Sequence, residues 1–183
     1  MTTMNYEKFK THFQHKWGPY SIMKDFARTF VLGLARLLEN RDLYPELGQK
    51  LLKYNTRPAM KKIYDKESPF TTIVHGDLWI NNFMISEDGK QVKLIDFGNV
   101  FMSHPVYDIM YFLYMNTDRE FRKNHEEEIL QVYFATFSKY LRRGVDLGFE
   151  QFKREVAERR EGAILYGMHV SSQRNRYAQS PEM

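Results

Sequence analysis

The sequence contains no cysteine. This absence excludes a disulfide framework, a catalytic thiolate and any zinc or iron–sulfur site built on cysteine. Long hydrophobic runs are missing too. The longest apolar stretch near the start, residues 30–35, ends at Arg36, well short of the ~20 residues that a transmembrane helix needs. The first eight residues do not form the apolar segment of a secretory signal. We therefore expect a cytoplasmic protein without a membrane partner.

An excess of charge of one sign is also lacking. The 27 lysines and arginines face 23 aspartates and glutamates, so the formal net charge is +4. Basic and acidic residues alternate over residues 153–161, which is typical of a solvated helix face, and we expect no nucleic-acid partner. With 43% hydrophobic residues the chain can form a sizeable core. Its 183 residues predict a single domain spanning 1–183.

The first part of the chain has a helical pattern. Apolar residues at positions 22, 26, 30, 34 and 37 recur at steps of four and three, which predicts one buried helix face. This helix should begin with Ser21 as its N-cap and end near Asn40. Pro45 suits the first turn of a further helix, which Pro58 should break or kink.

A β-hairpin is predicted in the middle of the chain. Two short apolar segments, 83–85 and 92–95, flank the turn sequence Asp88-Gly89. The helical pattern then returns, with helices predicted from about Pro105, Glu126 and Phe149. The expected fold class is α+β, mainly helical, with one small β-hairpin.

Three polar residues around this hairpin carry the candidate chemistry. Asn82 follows Asp77 by five positions, and Asp96 follows Asn82 by fourteen. The hairpin folds back within that interval, so Asp96 can return beside Asn82. A carboxylate and an amide oxygen are hard ligands that favour Mg²⁺. Asp77 is then available to accept a proton, and phosphoryl transfer needs both a metal and such a carboxylate.

A simpler interpretation applies to each acid taken alone. Asp77 and Asp88 suit turns, and Asp96 suits the end of a strand. The combination argues against this reading, because five identities (histidine, glycine, aspartate, asparagine and aspartate) stand at set spacings in one short segment. We therefore interpret the segment as a phosphoryl-transfer site.

The segment resembles the catalytic loop of kinase-like small-molecule phosphotransferases, the clan of choline kinases and aminoglycoside phosphotransferases. His-Gly-Asp-Leu-Trp-x-Asn-Asn at 75–82 and Pro-x-x-Asp-x-x-Tyr-Phe-Leu at 105–113 are similar to motifs of its ecdysteroid kinase-like, or CHK kinase-like, family. The strong match covers about residues 70–115. The resemblance implies the C-terminal, large lobe of a protein-kinase-like fold.

The resemblance also implies a role for each motif residue. Asp77 would be the catalytic base, Asn82 and Asp96 would be Mg²⁺ ligands, and His75 would brace the loop. ATP would be the phosphate donor, and the acceptor would be a hydroxyl of a small molecule such as an ecdysteroid or a choline-like alcohol.

Asp108 has two interpretations in its apolar helix. As an acid in the first helical turn it could be exposed to water. As a buried carboxylate it needs partners, and we prefer a brace that accepts hydrogen bonds from the catalytic loop. We interpret Trp79 as packing against this loop rather than stacking on a substrate. Tyr107, Tyr111 and Tyr114, which follow one another at helical spacing, are assigned to the core rather than to a ligand site.

Asp96-Phe97-Gly98 also resembles the metal motif of protein kinases, so a protein substrate must be considered. Only ten positions separate Gly98 from Asp108, and no Ala-Pro-Glu sequence occurs. This interval is too short for an activation segment, so we expect no protein substrate.

The sequence upstream of His75 departs from a complete kinase. It has no Gly-rich loop and no Val-Ala-x-Lys strand, so we expect the N-terminal nucleotide-covering lobe to be absent. Met84 and Ile95 would then offer at most an apolar floor for adenine. We expect weak activity or none from this chain alone. The alternative function is an inactive binding or scaffold module, a pseudokinase.

Overall fold

A computed structural model describes residues 20–40, 44–64, 67–141 and 146–177. The helices in these ranges are α1 (Tyr20–Asn40), α2 (Pro45–Leu52), α3 (Arg57–Tyr64), α4 (Val106–Asn116), α5 (Arg119–Lys139) and α6 (Phe149–Tyr177). The strands are β1 (Thr72–Val74), β2 (Phe83–Ile85), β3 (Val92–Leu94) and β4 (Phe101–Ser103). These helices and short strands form a mainly helical α+β protein, as the sequence predicts.

Proline positions determine where α2 and α3 begin. Pro45 is the first residue of α2, and Pro58 is the second residue of α3. A proline in the first turn of a helix costs no hydrogen bond, because the N–H groups there have no partner within the helix. The predicted break between the two helices is present, but it lies at residues 53–56, and Pro58 stands in the first turn of the helix that follows.

The start and the buried face of α1 differ from the prediction. Ser21 is not an N-cap, since α1 begins at Tyr20. Leu37, which the apolar spacing assigned to the buried face, is 47% exposed, while Val31 and Ala35 are buried. The buried stripe includes Ala35 because α2 approaches α1 there: a Cβ placed on Gly48 would be 2.8 Å from the carbonyl oxygen of Ala35.

The described strands form two separate two-stranded antiparallel sheets rather than the single hairpin that the sequence predicts. The predicted hairpin is present as β2 and β3, with Phe83 opposite Leu94 and Ile85 opposite Val92. The second sheet pairs β1 with β4. Strand β4 was missed because its three residues are few and its partner is distant in sequence, so no local alternation marks it.

Helix α5 begins earlier than predicted. The acidic residues from Glu126 suggested its first turn, but the helix begins at Arg119. The Asp118 side chain caps it by accepting a 2.7 Å hydrogen bond from the backbone N–H of Phe121. The first two turns are mostly polar, so they carry little of the apolar periodicity on which the prediction relied. Helix α6 does begin at Phe149, as predicted.

The core lies where α4 packs against α6 beneath the β1–β4 sheet. Its fully buried aromatic and aliphatic side chains include Met60, Phe70, Val74, Val106, Tyr107, Met110, Tyr111, Leu113, Phe152 and Tyr166. Helix α4 is thus covered along most of its length, and this fixes its position beside the loop that follows β1. In the described part of the chain, no helix is both long and apolar enough to span a membrane.

A buried polar cluster secures the start of α4. The Nδ1 atom of His104 accepts a 3.1 Å hydrogen bond from the backbone N–H of Val106, the first residue of α4. Its Nε2 atom lies 4.0 Å from the carboxylate of Glu155 on α6. Glu155 also pairs with the fully buried Arg159 at 3.0 Å and accepts a 2.6 Å hydrogen bond from Ser68. Burial, with a smaller contribution from Arg159, lowers the pKa of His104 to about 3.

The lowered pKa makes His104 a source of acid sensitivity. The unfolded chain binds a proton at this residue below a pKa of about 6.5, whereas the folded chain resists protonation down to about 3. The stability that neutral His104 contributes is therefore full above pH 6.5. It falls by about 1.4 kcal/mol per pH unit as the pH drops toward 3. The variant His104→Asn keeps an acceptor for Val106 but does not titrate, so its unfolding free energy should decline less steeply.

Urea unfolding between pH 7 and pH 4.5 measures this difference. The matched control is His125→Asn, which makes the same substitution at a half-exposed histidine outside the buried cluster. Parallel curves for His104→Asn and the parent would contradict the assignment.

Candidate active site

The loop that follows β1 adopts a conformation that only glycine permits at its second residue. Gly76 has a φ of +76°, in the left-handed region, and a Cβ at this position would collide with the carbonyl oxygen of Asn99. The loop therefore passes directly against the segment that leads into β4. Asp77 is the next residue after this close approach, so the conformation of Gly76 helps to set its position.

Asp108 on α4 holds the loop through its backbone. Its carboxylate accepts hydrogen bonds from the N–H groups of His75 at 2.6 Å and of Gly76 at 2.9 Å. Burial raises the pKa of Asp108, and these two hydrogen bonds oppose that rise. The contacts expected of a brace are present, and a water-exposed acid in the first helical turn would not make them.

His75 connects the loop to the end of β3. Its Nε2 atom lies 2.9 Å from the carbonyl oxygen of Ile95. Because a carbonyl can only accept, Nε2 carries the proton in this contact. The ring also packs against Phe97, with 4.9 Å between ring centroids. His75, the first residue of the loop, thus contacts the residues on either side of Asp96.

Asp77 and Asn82 are buried and directly bonded to each other. The side-chain amide nitrogen of Asn82 donates to the backbone carbonyl of Asp77 at 2.8 Å and to its Oδ2 atom at 3.2 Å. Both contacts are to acceptors, so the amide oxygen of Asn82 lies on the opposite side and stays available as a ligand. The hydroxyl of Tyr111 donates to Oδ1 of Asp77 at 2.9 Å.

Asp96 lies next to a residue that is bonded to Asn82. The N–H of Ile95 donates to the carbonyl oxygen of Asn82 at 3.0 Å. Asp96 itself is exposed and has a φ of 61°, a left-handed conformation that aspartate tolerates better than most residues. Its Oδ1 would be 3.3 Å from a Cβ placed on Gly98. The backbone thus brings the predicted metal ligands to neighbouring positions.

The donor set fits a magnesium ion that is shared with phosphate. No cluster of three or more His, Cys, Asp or Glu side chains that could hold a metal occurs among the described residues. Mg²⁺ commonly takes only one or two protein ligands, and phosphate oxygens and water complete its octahedron. The amide oxygen of Asn82 and the carboxylate of Asp96 are suitable for such a smaller set. The catalytic and metal roles of Asp77, Asn82 and Asp96 stay predictions.

The other candidate residues fall into two groups. Asp88 is a turn residue, as the simpler interpretation held: hydrogen bonds from Ser86 and then from the N–H of Lys90 lower the pKa of its carboxyl group. Met84 and Ile95 are exposed, at 58% and 40%, so their side chains are accessible at the hairpin where we predict the adenine floor.

Sequence reasoning missed the tyrosines that support Asp77. Tyr111 was assigned to the core, where it is buried, but its contact with Asp77 was not predicted, although it lies three residues after Asp108, a spacing that places both on one helix face. That spacing could have indicated a contact with the loop. Tyr166 on α6 donates to the carbonyl oxygen of Gly76 at 3.1 Å. No local pattern in the sequence indicates this second contact.

Comparison with known proteins supports the resemblance drawn from the motifs. The model of the ecdysteroid kinase-like family matches residues 2–144, a segment that includes all the residues of the candidate site on the loop, the hairpin and α4. The search among curated proteins gave no match, and neither did the search among solved structures.

Removing the Asp108 carboxylate tests its role as a brace. Asp108→Ala leaves the N–H groups of His75 and Gly76 without their acceptor, so it should lower the unfolding free energy by roughly 1–3 kcal/mol. Glu120→Ala is the matched control, because Glu120 is an exposed acid in the first turn of α5 and loses only a helix-dipole interaction. Denaturant unfolding measures both. An equal, small cost for the two variants would return Asp108 to a helix-turn role.

Proposed function

The chain belongs to the ecdysteroid kinase-like family, and we propose that its site transfers the terminal phosphoryl group of Mg-ATP to a hydroxyl of a small molecule. Membership of this family indicates a kinase-like phosphotransferase. The observation that carries the proposal is the joined pair of Asp77 and Asn82, with the backbone of Asp96 next to them. It supports the proposal because the candidate base is hydrogen-bonded to one candidate oxygen ligand, and the residue before the second candidate ligand is hydrogen-bonded to the first.

Each residue has a distinct task in this proposal. Asp77 accepts the proton of the acceptor hydroxyl while the oxygen of that hydroxyl bonds to the terminal phosphorus, the bond from this phosphorus to ADP breaks, and ADP leaves. Asn82 and Asp96 would hold Mg²⁺, which when bound would neutralise charge on the phosphate oxygens. Asn82 also donates to the Asp77 carboxylate, so the ligand and the base are kept in a fixed relation.

Access to the base sets a condition on the acceptor. The Asp77 residue is 1% exposed, so an acceptor hydroxyl reaches its carboxylate only when neighbouring side chains move aside. A proton transfer also requires the two oxygens to approach within hydrogen-bond distance. We therefore propose that acceptor binding and a movement of the side chains that cover Asp77 occur together.

The short segment after Gly98 favours a small acceptor. Residues 101–103 form β4, which pairs with β1, and Phe101 is buried. His104 and Pro105 then lead directly into α4. This segment is held in the fold and does not extend as a platform for a polypeptide substrate. An ecdysteroid or a choline-like alcohol is the class of acceptor that we propose.

Nucleotide affinity should be low for this chain alone. The elements described before β1 are the helices α1, α2 and α3, and the sequence before His75 contains neither a Gly-rich loop nor a Val-Ala-x-Lys strand. The phosphates then lack most of the N–H groups and the lysine that fix them in complete kinases. A module that binds without catalysing is the second candidate function.

Titration of the purified chain with Mg-ATP, followed by calorimetry and by NMR, tests the proposal. We expect binding clearly weaker than micromolar, and the variants Asn82→Ala and Asp96→Asn should remove the magnesium-dependent part of it. Asp88→Asn is the matched control on the same hairpin and should bind as the parent does. Micromolar affinity, about −8 kcal/mol, would show that the argument from missing phosphate partners is wrong.

Phosphate transfer is the decisive readout between the two candidate functions. Incubation with labelled ATP and a panel of sterol and amino alcohols should give slow, magnesium-dependent labelling that Asp77→Ala abolishes. Magnesium-dependent binding without labelling of any acceptor would favour the inactive binding module. Labelling that survives Asp77→Ala would contradict the assignment of the base.

A further inference from the structure

We propose that Tyr111 and Tyr166 are positioning residues for Asp77, one acting on its carboxylate and the other on its backbone. The inference rests on the proposed function for the role of Asp77 as a base. The contacts themselves do not depend on that role. They also include α6 in the site, although this helix follows the segment that the family model matches.

Tyr111 fixes one oxygen of the carboxylate. Its hydroxyl donates to Oδ1 of Asp77 at 2.9 Å, while Asn82 donates to Oδ2 at 3.2 Å. A carboxylate held at both oxygens has little freedom to rotate. The orientation that a base needs is therefore prepared before any substrate binds, which lowers the cost of reaching a reactive geometry.

Helix α6 determines where the Tyr111 ring lies. The Tyr111 ring rests on Gly167, where a Cβ would be 2.8 Å from its Cδ2 atom. The neighbouring ring of Tyr166 meets it edge-on, with 6.4 Å between centroids, and meets Tyr107 in the same way at 4.6 Å. Because all three tyrosines are buried, the Tyr111 hydroxyl has little room to move away from Asp77.

Tyr166 fixes the peptide group that carries Asp77. Its hydroxyl donates to the carbonyl oxygen of Gly76 at 3.1 Å, and this carbonyl belongs to the peptide bond between Gly76 and Asp77. The preceding peptide is held at its N–H by Asp108. Two successive peptide groups of the loop are thus hydrogen-bonded to side chains of different helices, the first to Asp108 on α4 and the second to Tyr166 on α6. This arrangement fixes the direction in which the Asp77 side chain leaves the backbone.

Two substitutions that each remove one hydroxyl group test the proposal in the full chain. Tyr111→Phe and Tyr166→Phe each keep the ring and remove only the hydroxyl. Tyr114→Phe is the matched control, because it removes a hydroxyl on the same helix that accepts a 3.1 Å hydrogen bond from Arg160 and does not contact the loop in any described hydrogen bond. NMR signals of the Asn82 side-chain amide, the Gly76 carbonyl carbon and the Asp77 amide nitrogen are the readouts.

The expected pattern differs between the two variants. Tyr111→Phe should shift the Asn82 side-chain amide, which shares the Asp77 carboxylate with Tyr111. Tyr166→Phe should shift the Gly76 carbonyl carbon and the Asp77 nitrogen, which form one peptide group. Tyr114→Phe should leave all three signals unchanged. Purely structural packing by the rings would move none of them, since every variant retains its ring.

The outcomes separate this inference from the proposed function. The signals are recorded without ATP, so a chain that transfers no phosphate still gives the expected shifts if the positioning is correct. Unchanged signals in both variants would overturn the inference even if phosphate transfer were observed. Loss of folding in either variant, detected by near-ultraviolet circular dichroism, would assign that hydroxyl to the stability of the whole core and overturn its local role.

Discussion

The candidate site depends on one interaction: two consecutive backbone N–H groups of the loop donate hydrogen bonds to the carboxylate of Asp108. This carboxylate is partly buried, which is costly for a charge unless hydrogen bonds compensate it. The N–H groups of His75 and Gly76 supply that compensation. In return, the loop is tied to α4 at the point where Gly76 takes its left-handed conformation. The position of Asp77 follows from this attachment.

Helix α4 supports the site because it contacts the loop on one face and packs against α6 on the other. One face presents Asp108 and, one turn later, Tyr111 to the loop. The helix is backed by α6, and its first residue is bonded to the buried His104. The polar cluster of His104, Glu155 and Arg159 therefore contributes to the site indirectly, because it holds the end of the helix from which Asp108 projects.

The parts of this arrangement that local chemistry specifies were predictable from the sequence. Turn residues at Asp88-Gly89 identified the hairpin, Pro58 identified the break between helices, and the motif residues identified Asp108 as a partner of the loop. The parts that depend on distant packing were not predictable. Strand β4 forms only by pairing with β1. Helix α5 begins just after a capping aspartate, in a polar segment without apolar periodicity. Tyr166 contacts Gly76, which is ninety residues away in the sequence.

The orientation of Asn82 links the geometry to the proposed chemistry. Its amide nitrogen is engaged by Asp77, which leaves the oxygen as the atom that can meet a cation. The most direct test replaces Mg²⁺ with Mn²⁺ in the presence of ATP and records paramagnetic broadening across the chain, an effect that is visible even at weak occupancy. We expect the broadening to be strongest at Asn82 and Asp96 and to be lost in Asn82→Ala. Broadening centred elsewhere, or unchanged by that substitution, would contradict it.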